Sequence, residues 1–273
     1  MGKLLRLSGL SLALWLAGCQ SVNTTNAGAV GVERKQYMFS MLSTQQVNQM
    51  SEQSYQQTLS EASSKGMLDK NSGNAKRVNA IAKRLIAQAP VFRPDSAQWD
   101  WQVNLIDSEE LNANCGPGGK IIVYSGLIEQ LHLSDDELAA VMGHEIAHAL
   151  REHGREAMSK AYATQMAQQG IGALLGLGQD SMALADNVVQ YSMTLPNSRD
   201  NENEADLIGL ELSARAGYNP QAAVSLWQKM SSASEGAPPE FMSTHPASST
   251  RIASLQAAIP KVTGLYQQAK GSN

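Results

Sequence analysis

The chain has 273 residues, a formal net charge of −4 and 42% hydrophobic residues, the balance of an ordinary folded protein. No dense basic stretch occurs, which argues against nucleic acid or an electrostatically held anionic surface as partner. With only 2 cysteines, and a length that can bury a substantial core, the fold has to stand without a disulfide framework.

Lys3 and Arg6 precede an apolar run from Leu7 to Ala17. That run is too short for a comfortable membrane span and suits the core of a signal peptide over residues 1–18. Leu16-Ala17-Gly18-Cys19 resembles a lipobox, so cleavage is expected before Cys19, with lipid attached to that residue. Several acyl chains would make the anchoring stable. Gln20 is not the Asp that resembles an inner-membrane retention signal, so in an organism with two membranes the outer one is expected. Residues 19–36, rich in Asn, Thr, Gly and Val, read as the lipidated Cys and a flexible tether, which leaves 37–273 as the folded domain. With Cys19 acylated, Cys115 has no partner within the chain; a partly buried, inert thiol is the plain reading of it.

Thr44 to Ser64 is a Gln- and Ser-rich helix candidate, and Val78, Ile81, Ala82, Leu85 and Ile86 mark a second helix by their apolar spacing. Trp99, Trp101, Val103 and Leu105 alternate with Asp100, Gln102 and Asn104, the pattern of a strand with one buried face. Lys120 to Ser125 is a second strand, entered through a turn at Pro117-Gly118-Gly119. Two readings are open for it: a core strand, or an edge strand to which an extended peptide adds by main-chain hydrogen bonds.

Ser134 with Glu137 makes a capping box, and Leu133 and Leu138 occupy the positions of a hydrophobic staple, so a helix starts there. Leu138, Val141, Met142, Ile146, Ala149 and Leu150 continue it at helical spacing, as a half-buried helix. It carries Gly143-His144-Glu145-Ile146-Ala147-His148, in which two imidazoles four residues apart point the same way and can share one metal ion. Zinc hydrolases usually take three protein ligands and leave a fourth position for water. A third histidine three residues past a glycine at 151 is ruled out, because 151 and 154 hold Arg151 and Gly154. Glu145, adjacent to a ligand but not itself one, is the expected general base.

Gly170 to Ala185 is small and apolar with four glycines, too broken to span a membrane; it reads as a loop or a cover over a cleft. Farther on, Glu202 and Asp206 lie four apart and share a helical face. Glu202 is the expected third ligand, and Asp206 the expected acceptor for the second ring N–H of a ligating histidine. Glu204 should point away from the metal and is the alternative ligand. Arg199 is a candidate to pair with a nearby carboxylate or to touch substrate. His132 and His153 read as surface residues. His245 sits where Pro246 discourages helix, on a loop before the amphipathic segment around Ile252, Leu255 and Ile259.

Four ordered motifs carry a resemblance over about residues 112–251, roughly half the chain: Pro117 to Ile121 with Tyr124 to Leu127, the H-E-x-x-H at 144–148, the S-R-x-x-E-x-x-A-D at 198–206, and Thr244-His245-Pro246. Together they resemble the gluzincin family that includes the HtpX membrane protease and the CAAX prenyl-protein protease, in its LoiP- and BepA-like periplasmic lipoprotein branch. Cys115-Gly116 departs from the bulkier apolar residues that the family pattern leads one to expect. The resemblance favours Glu202 over Glu204. It implies an α+β zincin-like fold, mostly helical with a small sheet beside the H-E-x-x-H helix, and one Zn2+ per chain on His144, His148 and Glu202. It turns the His245 loop toward the site, where His245 would donate to an oxyanion, occupy the open zinc position in a latent enzyme, or serve structure alone. The implied function is a lipid-anchored periplasmic metalloendopeptidase acting on misfolded or misassembled envelope proteins, its expected partners. The alternatives are a catalytically quiet chaperone-like binder of unfolded outer-membrane proteins and a metallohydrolase of cell-wall peptides.

Overall fold

The computed structural model describes residues 19–40, 42–169, 197–233, 240–246 and 248–271. The signal-peptide reading of 1–18 and the loop or cover read at Gly170 to Ala185 lie outside these residues. In chain order the elements are β1 (Cys19–Val22), β2 (Gln36–Phe39), α1 (Thr44–Ser64), β3 (Leu68–Asp69), α2 (Gly73–Ile86), α3 (Ala89–Phe92), β4 (Gln102–Ile106), β5 (Ala113–Gly116), β6 (Lys120–Tyr124), α4 (Ser125–Gln130) and α5 (Asp135–Leu150). They continue as α6 (His153–Gln169), α7 (Arg199–Arg215), α8 (Ala222–Ala233), α9 (Glu240–Thr244) and α10 (Ser249–Gly271). The result is the α+β arrangement expected: helices around one small sheet, with β1 and β2 forming a separate antiparallel ribbon.

The four-stranded sheet runs in the order β3-β4-β6-β5. β4 and β6 are parallel, and the other two pairings are antiparallel. β6 lies between β4 and β5, so its apolar run is covered on both faces. Ile121 and Val123 face the main core with α2 and α5, while Ile122 packs with Tyr55 and Ala62 of α1 on the other side. Of the two readings of this strand, the core one holds. One edge is the two-residue β3 and the other is β5, whose Ala-Asn-Cys-Gly sequence gives no strand signal of its own and is held extended by its hairpin with β6. Gly118 and Gly119 make the hairpin turn at φ 78 and 88, and a Cβ on Gly119 would stand 2.6 Å from the Trp101 ring. Trp99 and Trp101 precede β4 rather than belonging to it, and their rings pack together at 5.2 Å.

α5 starts at the Ser134 capping box as expected, but every residue from Glu137 to Leu150 is buried rather than one face alone. α2, α7, α8 and β5 all pack on it. The closest crossing is with α7, and it rests on two glycines. A Cβ on Gly209 would lie 2.7 Å from the His144 backbone nitrogen, and one on Gly143 would lie 2.9 Å from the Gly209 carbonyl oxygen. Bare backbone at both positions lets the two helices touch.

The tether expected over residues 19–36 is not a tether. β1 pairs with β2, and Val30 and Val32 are buried in the main core. Asn26 N–H donates to the Phe92 carbonyl at 2.7 Å, and Val30 N–H to Glu211 Oε2 at 3.0 Å. Gln36 Nε2 donates to the Arg151 carbonyl at 2.6 Å. The polar residues that suggest a solvated linker instead spend their donors on buried acceptors, and Gly28 and Gly31, at φ 64 and 79, let the chain turn back onto the domain.

Candidate metal centre

Each functional side chain is placed by a helix whose start is fixed by a cap. Ser134 caps α5, and Ser198 caps α7 by accepting from the Asn201 N–H at 3.2 Å. The glycine crossing then brings His144 and His148 of α5 over Glu202 of α7. His245, just past α9, closes the group: its N–H donates to the Phe241 carbonyl at 2.8 Å and its ring turns inward. One ligand atom from each of His144, His148, Glu202 and His245 lies within 4.8 Å of all the others, and all four residues are buried.

The separations fit a tetrahedral ion. Bonds of about 2.0–2.1 Å to nitrogen and oxygen make the edge of a zinc tetrahedron about 3.3 Å. His144 Nε2 is 3.0 Å from His148 Nε2 and 3.5 Å from Glu202 Oε2, and His148 Nε2 is 3.4 Å from Glu202 Oε1. His245 Nδ1 lies 3.3 Å from His144 Nε2 and 2.9 Å from Glu202 Oε1, near the fourth corner. Two histidines and a carboxylate are also the chemistry that zinc prefers. Glu145 stands beside the cluster, its Oε1 3.6 Å from His245 Nε2 and without a hydrogen-bond partner among the described residues.

The electrostatics separate these groups. Burial disfavours charge on Glu202, but interaction with His245 and hydrogen bonds from His144, His148 and His245 hold its carboxyl far below the usual range. Burial pushes the Glu145 carboxyl up, and no hydrogen bond offsets it. Burial drives His148 well down, while at His144 the carboxylates of Asp206 and Glu202 overcome burial and raise it to about 9.

Asp206 lies where the sequence places it, with Oδ1 3.0 Å from His144 Nδ1. It also accepts from Trp227 Nε1 at 3.2 Å and from Arg251 Nε and Nη2, both at 2.7 Å. Arg251 Nη1 is 2.7 Å from Glu202 Oε2, so one guanidinium serves both carboxylates. Arg199, the sequence candidate to pair with a nearby carboxylate or to touch substrate, is exposed on the first residue of α7, and no ion pair of it occurs among the described residues. The signal that could have found Arg251 is its place one turn into the helix after Pro246.

His132 is exposed, as expected, at φ 47. His153 is not a surface residue: it is 1% exposed, with Nδ1 2.8 Å from His148 Nδ1 and Nε2 3.1 Å from Glu204 Oε2. The spacing argument fails because α5 does not continue through it. Arg151 caps α5, Glu152 takes φ 52, and His153 opens a new helix. Glu204 does point away from the cluster, into a buried group with Arg151 and Arg34.

A groove of about 350 Å³ runs from β5 to the cluster, with Tyr55 and Thr58 of α1 on one wall and Glu145, His148 and His245 at its end. Because Tyr124 N–H donates to the Asn112 carbonyl at 3.2 Å, the alternation of an antiparallel pair turns the main-chain groups of Ala113 and Cys115 outward along this edge, where the Ala113 N–H donates to Asn112 Oδ1 at 2.9 Å. The Cys115 thiol is buried, and burial together with the nearby Glu145 charge pushes its pKa well up, which keeps it an unreactive thiol.

The sequence model of peptidase family M48 matches residues 72–259. The chain is 30% identical over 181 residues to mitochondrial metalloendopeptidase OMA1 of Saccharomyces cerevisiae, covering 63% of this chain and 51% of that protein. It is 29% identical over 249 residues to metalloprotease LoiP of Escherichia coli, covering 90% of this chain and 92% of LoiP. To the beta-barrel assembly-enhancing protease of the same bacterium it is 28% identical over 189 residues, covering 64% and 37%. The chain thus spans about half the length of the yeast relative and less of the beta-barrel assembly-enhancing protease.

Proposed function

Because the chain belongs to peptidase family M48, we propose that it is a zinc metalloendopeptidase whose site is built by His144, His148, Glu202 and Glu145. The observation that carries this reading is the convergence of four buried donor atoms within 4.8 Å of one another beside an unpartnered carboxylate oxygen. Zinc bound there would supply a Lewis acid that polarises a peptide carbonyl and acidifies water.

The chain's own residues do the rest. A substrate lies extended in the groove, its main chain paired with the Ala113 carbonyl and the main-chain groups of Cys115, which recognises backbone and gives weak sequence preference. Glu145, its carboxyl pushed up by burial, takes a proton from the attacking water and returns it to the leaving amine. His245 stands near the fourth corner and has to swing aside before a carbonyl can approach, so the enzyme rests latent in this arrangement.

The proposed setting is the periplasmic side of an outer membrane, through lipid on Cys19, with misfolded or misassembled envelope proteins as substrates. Supporting it are the lipobox-like Leu16 to Cys19, the match along nearly the whole of LoiP, and a second bacterial relative named for β-barrel assembly. The test is metal content together with cleavage of unfolded casein, for wild type, Glu145→Gln and His245→Ala. One zinc in each, no cleavage by Glu145→Gln and faster cleavage by His245→Ala are expected. Wild type without metal after purification in zinc-containing buffer overturns the reading.

A further inference from the structure

The two histidines of the H-E-x-x-H motif are braced differently. His144 Nδ1 meets the carboxylate of Asp206 directly at 3.0 Å. His148 Nδ1 meets a second imidazole, His153 Nδ1 at 2.8 Å, and only through it a carboxylate, with His153 Nε2 3.1 Å from Glu204 Oε2.

Two neutral imidazoles that meet nitrogen to nitrogen need one donor and one acceptor. His148 turns Nε2 toward Glu202 Oε1, 3.4 Å away, so a metal ligand there keeps its lone pair on Nε2 and its proton on Nδ1. That proton is donated to His153 Nδ1, which leaves the His153 proton on Nε2, donated to Glu204. Every hydrogen bond in the row is satisfied by this one assignment.

The row does not stop at Glu204. Arg151 Nε donates to Glu204 Oε2 at 2.9 Å, and Arg34 donates to both its oxygens. Arg151 Nη1 also donates to Asn23 Oδ1 at 2.9 Å, and its Nη2 to the Arg34 carbonyl at 2.9 Å. The far end of the row is therefore the segment that follows Cys19.

Taking His144, His148 and Glu202 as the zinc ligands, we propose that His153 is a positioning residue that fixes the ring and tautomer of His148. Residues 23–36 complete the brace through Arg34 on Glu204. An apolar side chain of similar size at 153 would fill the space but leave the His148 Nδ1–H unpaired and the ring free to turn.

The test uses the full chain. In the 15N-labelled, zinc-loaded protein, long-range nitrogen–proton correlation spectra should show His148 protonated on Nδ1 and His153 on Nε2; His153 protonated on Nδ1 overturns the proposal without any variant. Zinc affinity is then measured by competition with a chromogenic chelator. His153→Phe should lose about 10- to 100-fold. His153→Gln, which accepts through its carbonyl and donates through its amide, should recover most of that loss. Arg34→Gln should weaken binding less than His153→Phe but measurably. His153→Phe with wild-type affinity overturns the brace, and Arg34→Gln with wild-type affinity overturns the part given to residues 23–36. A wild type that takes up no zinc overturns the metal assignment and the brace with it.

Discussion

The guanidinium of Arg251 lies over the indole of Trp227, its Cζ 3.8 Å from the ring centroid. That stack holds the cation in the one place from which it reaches both Glu202 and Asp206. Arg251→Met would leave two buried carboxylates without it, and loss of one partner of a buried ion pair costs about 3–5 kcal/mol. A drop of that order in urea-unfolding stability of the metal-free protein is expected. Arg251→Lys should not restore it, because a point charge cannot bridge two carboxylates as a planar fork does. Equal stability of Arg251→Met and wild type would refute the assignment.

Gly209→Ala should separate the helices that carry the ligands. The added carbon meets the His144 backbone at 2.7 Å, with no flexible side chain to give way. Overpacking of this kind costs about 1–3 kcal/mol. The expected outcome is a lowered Tm together with weakened zinc retention on gel filtration. A variant with normal Tm and normal zinc would show that the crossing tolerates spreading.

Ser134→Ala removes the cap of α5, whose hydroxyl accepts from the Glu137 N–H at 3.3 Å. A loss of about 1 kcal/mol is expected, with zinc content unchanged because the motif lies well inside the helix. Denaturant titration and metal analysis on the same sample read both.

Glu156 gives a pH dependence away from the metal ligands. Burial works against its charge, but Arg34, Lys160 and Gln36 hold the carboxyl down at about 2. A folded value below the unfolded one stabilises at pH above about 4.5, and that contribution is lost as pH falls toward 2. Its size is about 3 kcal/mol for a shift of this order. The stability gap between wild type and Glu156→Gln should therefore shrink on acidification through that window. A gap that stays constant from pH 5 to 2 would count against it.

What was legible in the sequence was local. The α1 limits, the Ser134 cap and the pairing of His144 with His148 follow from spacing and capping within a few residues. Glu202 and Asp206 follow from the same periodicity on a second helix. What was not legible depended on distant packing. β5 has no β-forming residues and exists because β6 pairs with it. The polar residues 23–36 read as solvated until their buried partners are known. His153 was misplaced because the helix was extended through Glu152, where the backbone turns to φ 52. Arg251 is an isolated basic residue in the sequence, and only its stack on Trp227 and its pairing with Glu202 and Asp206, all distant in sequence, explain its position.

Strand β1 begins at Cys19 and is paired from that residue onward. A free chain over residues 20–35 would let an enzyme held by lipid at Cys19 wander by about 22 Å. With those residues built into the domain, that reach disappears. Under the proposed anchoring, the distance from the groove to the bilayer is set by the domain itself rather than by a linker. Which proteins are cut then depends on which ones present an extended stretch at that distance, a selection by delivery that the weak sequence preference of a backbone-reading strand would leave to the membrane.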